Sequence, residues 1–112
     1  YTVPTPIGSP IPTTIGTDFG LIANKTMTMD ENWNVGSGWA LTVNSIDPKS
    51  APRKVMITLY KNGNKVDDPI LNMGEIYSYN ISNRYFSTNV ASILAGNKTD
   101  LVLFKDTTYQ ID

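Results

Sequence analysis

The chain has 112 residues, enough for one domain that hides roughly two-thirds of the surface its unfolded form exposes. Nine Lys and Arg against ten Asp and Glu leave a formal charge of -1, which gives no electrostatic footprint for a phosphate backbone or an anionic membrane, so nucleic acid is not an expected partner. There is no cysteine and no histidine, which removes disulfides, thiolate chemistry, and the commonest general base and transition-metal ligand near neutral pH.

At 40% hydrophobic residues the chain is too apolar for a disordered tail, yet no window approaches the ~20 consecutive apolar residues that a bilayer-spanning helix requires. The numbering opens at Tyr1 with neither an initiator nor a leader, so a piece processed or excised from something longer is expected.

Residues 1–17 carry Pro4, Pro6, Pro10 and Pro12 among Gly and Thr. Proline fixes φ and biases its predecessor toward extended geometry, so this stretch reads as a linker or extended lead-in to a domain over residues 18–112. A disordered tail, and an edge strand over residues 13–17, are the alternatives. From Phe19 the chain condenses: Leu21, Ile22 and Ala23 form a short apolar run, and Met27 and Met29 alternate with Thr26, Thr28 and Asp30. Glu31 to Gly38, rich in Asn and Gly, reads as a loop holding Trp33 and Val35. Trp39, Leu41 and Val43 alternate with Ala40, Thr42 and Asn44 in a strand that ends at Ile46, before a turn at Asp47-Pro48.

The strongest signal is Val55, Ile57 and Leu59 alternating with Met56, Thr58 and Tyr60, followed by Asn62-Gly63. Those two residues tolerate the positive φ angles of a type I′ hairpin turn. On the return limb Pro69 cannot donate to a ladder, so the limb is an edge strand or bends there. Ile76, Ser78 and Asn80 alternate with Tyr77, Tyr79 and Ile81. Tyr85 to Ala95 fits both helical and strand spacing, and its aromatic and β-branched residues favour a strand. Strands over Leu101 to Phe104 and Tyr109 to Ile111 complete the chain. About eight short strands predict an all-β fold, an antiparallel β-sandwich, with a small open barrel as the alternative.

Without histidine, a carboxylate pair is the chemistry left to a hydrolase. Asp30, Glu31, Asp47, Asp67, Asp68 and Glu75 all sit near Pro, Gly or Asn, where solvated turn carboxylates are ordinary, and no calcium-loop pattern is present. No catalytic residue, metal ligand or cofactor is assigned. Tyr77 and Tyr79, two apart on one strand, suit either a sugar-binding platform or a core face, and the core is favoured. Trp39 reads as core; Trp33, in a polar loop, is the aromatic expected to reach solvent or a partner. Asn24-Lys25-Thr26, Asn80-Ile81-Ser82 and Asn97-Lys98-Thr99 are N-glycosylation acceptor triplets.

The words Gly38-Trp39-Ala40-Leu41-Thr42-Val43, Ser45-Ile46-Asp47, Ile57-Thr58-Leu59-Tyr60-Lys61-Asn62-Gly63 and Gly74-Glu75-Ile76-Tyr77-Ser78-Tyr79, then Asp100-Leu101-Val102-Leu103 and Tyr109-Gln110-Ile111, continue one another in a fixed order. Over roughly Leu21 to Asp112 the chain resembles the S-layer family duplication domain of Methanosarcina-type archaea. The resemblance implies a β-sandwich unit, repeated in tandem along a secreted cell-surface glycoprotein that self-associates with neighbouring S-layer domains into a porous sheet. The work implied is structural rather than enzymatic. An extracellular carbohydrate-binding or adhesive module, using Trp33 with Tyr77 and Tyr79, is the alternative.

Overall fold

A computed structural model describes residues 13–15, 19–82 and 84–111, and these form ten strands with no helix. They are β1 (Thr13–Ile15), β2 (Phe19–Thr28), β3 (Asn32–Gly36), β4 (Trp39–Asp47), β5 (Lys54–Lys61), β6 (Asn64–Asp67), β7 (Ile70–Asn72), β8 (Ile76–Ile81), β9 (Arg84–Leu94) and β10 (Leu101–Gln110). One sheet runs β1-β2-β10-β9-β8; the other runs β3-β4-β5-β6, with β7 also on β5. All pairings are antiparallel, and the two sheets pack as a sandwich.

The period of two is visible in burial. On β4, Trp39, Leu41 and Val43 point inward, and on β5 Val55, Ile57 and Leu59 do the same, with Leu59 opposite Leu41 and Ile57 opposite Val43. The Asn62-Gly63 turn has φ of 53° and 83°, as a type I′ hairpin requires. The return limb breaks at Asp68-Pro69, and both halves stay on β5: Leu59 faces Asp67, and Met56 faces Ile70. Ile57 N–H donates to the Pro69 carbonyl at 3.1 Å and bridges the break.

Three expectations are corrected. The stretch read as a loop, Glu31 to Gly38, contains β3, because Trp33 and Val35 alternate with outward Asn32 and Asn34 and both bury. Asn and Gly mark the strand's solvent side and its end rather than a loop. The last two predicted strands are one, β10, whose register against β9 shifts between Lys105 and Thr108, with Asp106 at φ 52°. That bulge turns Thr107 inward, where its hydroxyl bonds the buried Thr88 at 2.8 Å. The early apolar runs also fuse into the single ten-residue β2. Of the lead-in, Thr13–Ile15 pairs with β2 as an edge strand; the rest of residues 1–17 lies outside the described residues, and so does the linker assignment there.

Two corners carry the chain between sheets. After β2 the Asp30 N–H reaches the Val43 carbonyl at 2.6 Å, and after β7 the Gly74 N–H reaches the Val90 carbonyl at 2.6 Å, so each corner is already stitched to the sheet it enters. Between the layers, Trp39 of β4 lies against Tyr79 of β8 (6.0 Å between centroids, 73°) and Phe86 of β9 (5.6 Å, 39°). Its indole N–H donates to the Gln110 carbonyl at 3.1 Å. Lys61 is buried with its ammonium 4.8 Å from the same ring and donating to the Ser37 carbonyl. Tyr109 closes that end: its ring lies against Gly20 of its own sheet and Gly36 of the other, where an added Cβ would come within 2.6 Å and 2.8 Å of it.

Trp39→Ala is expected to lower unfolding free energy by about 3–5 kcal/mol, read from the urea midpoint. A loss under about 1 kcal/mol would show that the layers hold without it.

Candidate functional site

The carboxylates are engaged in shaping turns. Glu31 Oε1 accepts from the Thr28 N–H at 3.0 Å, and its other oxygen lies 3.6 Å from Lys25. Asp47 Oδ1 accepts from the N–H groups of Lys49 (3.1 Å) and Ser50 (3.2 Å), and the Lys49 bond foremost holds this carboxyl below the usual range. Asp67 accepts from the Asp68 N–H and the Tyr77 hydroxyl, Asp68 faces Lys65 at 3.3 Å, and Glu75 Oε1 accepts from the Asn72 N–H at 2.9 Å. Among the described residues no group of three His, Cys, Asp or Glu side chains converges.

Three surface concavities are shallow and open. One of 430 Å³ lies over Asn34, Ala40 and Tyr60 on the outer face of the second sheet; one of 350 Å³ is lined by Tyr79, Ile81, Ser82 and Arg84; one of 200 Å³ lies between Met29, Ile46 and the loop at residues 96–100. None is lined by more than one carboxylate, so none offers the acid pair a glycosidase uses.

The aromatic platform does not form. Tyr77 and Tyr79 are 7% and 9% exposed and face the core. Trp33, expected to reach solvent, is 8% exposed, because β3 turns it inward and Lys25 covers its ring at 5.8 Å. The hydroxyl of Tyr77, on the first sheet, donates to Asp67, on the second, at 2.6 Å. Burial foremost, then this carboxylate, pushes the Tyr77 hydroxyl well above its ordinary pKa; burial also raises Tyr109.

What remains available is surface. The acceptor residues Asn24 on β2, Asn80 on β8 and Asn97 in the loop after β9 are all exposed. Ile76 and Ile81 at the two ends of β8 are 69% and 57% exposed. Neither isoleucine was singled out by the sequence, although Ile-Tyr-Ser-Tyr-Asn-Ile is legible there as a strand with no charge and no proline to guard an edge.

Among the described residues, then, acids build turns and aromatics fill the core of a two-layer sandwich. The family model for S-layer protein matches residues 22–112, and the chain belongs to that family. A search of curated proteins finds no match. Membership gives the domain a structural role in a surface layer outside the cell and implies assembly with other layer subunits. No helix among the described residues is long and apolar enough to cross a membrane.

A raised tyrosine pKa contributes stability that is fully present below the unfolded value of about 10 and is lost as pH rises above it. Urea midpoints are therefore expected to fall between about pH 9 and pH 11, and Tyr77→Phe to flatten part of that fall while costing about 2 kcal/mol at neutral pH. An unchanged alkaline fall in the variant would remove Tyr77 from this role.

Proposed function

We propose that this domain is a stiff unit of a porous surface layer, joined to neighbouring layer domains and to further copies through sheet edges and loop surfaces. Family membership over residues 22–112 carries the reading, and the commitment of acids to turns and of aromatics to the core supports it. The sequence likeness to the Methanosarcina-type duplication domain supports a tandem arrangement within a secreted parent. Asn24, Asn80 and Asn97 are the residues we assign to covalent N-glycans, with Asn97 the most open to modification because it lies in an exposed turn. Of the Pro-rich lead-in over residues 1–17, the part ahead of β1 is the joint between this domain and a preceding one.

Electron crystallography of layers formed by the parent protein tests the role. The domain is expected to touch neighbouring copies, and a position projecting free of all neighbours overturns the tiling function. For the glycans, intact mass spectrometry of protein from the native host is expected to show a discrete mass loss for each of Asn24→Gln, Asn80→Gln and Asn97→Gln. An unchanged mass removes that residue from the set.

A further inference from the structure

β8 is the outermost strand of its sheet. Val90 N–H donates to the Glu75 carbonyl at 2.9 Å, so by alternation Tyr77, Tyr79 and Ile81 turn their backbone groups toward β9, while Ile76, Ser78 and Asn80 turn theirs away. Among the described residues no strand takes these up. The other edges are short or guarded. β1 has three residues; β3 has five and a register shift before Gly36; the β6 side carries Lys65, Asp67, Asp68 and Pro69. β8 has six residues, no charge, no proline and an unbroken register with β9. An edge of that kind is a template for another chain.

The charges beside it select the partner. Glu75 stands just before β8, and Arg84 is paired with Ile81 at the far end. By the strand's alternation Glu75 and Ile81 share the side of Tyr77 and Tyr79, and Arg84 shares it through its pairing with Ile81. Arg84 makes no ion pair with a described residue and, with Tyr79, Ile81 and Ser82, lines the 350 Å³ concavity. One end of the edge is therefore anionic and the other cationic, which is the arrangement that a twofold axis makes self-complementary.

We propose that β8 pairs antiparallel with β8 of a second copy, about a twofold axis through Ser78. This rests on the layer reading and names the edge that does the joining. Ile76 then faces the second copy's Asn80, Ser78 faces its counterpart, and about six backbone hydrogen bonds close the ladder. Glu75 falls beside the second copy's Ile81; its Oε1 takes the Asn72 N–H of its own turn, which leaves Oε2 to meet that copy's Arg84. The two five-stranded sheets become continuous. A glycan on Asn80 stands on the outer face, perpendicular to the ladder, and leaves the edge open.

The chain lacks cysteine, so Ser78→Cys tests the contact directly. Facing residues at a hydrogen-bonded position lie about 5.5 Å apart between Cα atoms, within disulfide reach. Mild oxidation of the full-length layer protein carrying Ser78→Cys is expected to give a crosslinked dimer, whereas Asn34→Cys on the β3 edge gives none. Arg84→Glu is expected to lower the crosslinked yield at limiting concentration on the order of tenfold, and Glu75→Arg with Arg84→Glu to restore it, with thermal melts confirming that each variant folds. Layers that assemble with no crosslink at residue 78 overturn the β8 contact and leave the layer role standing. Protein that forms neither crosslink nor layer overturns both. Crosslinking that ignores both charge variants overturns the Glu75–Arg84 pairing that selects a second copy.

Discussion

The packing of one indole holds the architecture together. Trp39 sits at the start of β4, where the chain has just left the β3 turn, and its ring is the place at which two sheets, a buried ammonium and the end of β10 meet. Each neighbour satisfies a different property of the side chain. Lys61 lies over the ring, Phe86 packs against it at a tilt, Tyr79 meets it in a T-shaped contact, and the single polar hydrogen takes the Gln110 carbonyl. Two sheets joined only by aliphatic contact have many nearly equal ways to slide. A group with a directional donor and an anisotropic charge distribution has few, and this one fixes β4 against β8, β9 and β10 together.

The same economy explains why the concavities over the described residues are open and hold no pair of acids. The acids nearest the turns spend their lone pairs on backbone N–H groups left without ladder partners, as Asp47 does for Lys49 and Ser50 and Glu75 does for Asn72. The Thr88–Thr107 pair and the Tyr77–Asp67 bond settle polar groups inside the sandwich or across its layers. Polar groups used in this way stiffen a fold and are unavailable to a substrate. A member of the S-layer protein family, whose role is structural, has little use for the mobility that an active-site lid demands.

Much of the fold was legible because the strands with buried neighbours alternate cleanly. β4 and β5 announced themselves through Trp39, Leu41 and Val43 and through Val55, Ile57 and Leu59, and the hairpin through Asn62-Gly63. β3 was hidden because an edge strand exposes every second residue, and here those are Asn, the residue that also marks loops. Trp33 reads as exposed for the same reason: its neighbours are polar in sequence, but the residue it faces, Leu41, belongs to the core. β10 looked divided because Lys105 and Asp106 interrupt the apolar pattern, and nothing local reveals that a bulge will absorb them. The edge of β8 was readable as a strand but not as an edge, since strand order is set by long-range pairing.

The register of the first sheet has a mechanical outcome. Phe19 lies directly opposite Gln110, so the start of β2 and the end of β10 are adjacent at one end of the ladder. A pull between those points acts across the β2–β10 ladder and opens it bond by bond like a zipper, whereas a load arriving through the sheet faces or a lateral edge is shared by many bonds at once. The sandwich is geometrically suited to bear load sideways, across many bonds at once, rather than as tension between Phe19 and Gln110.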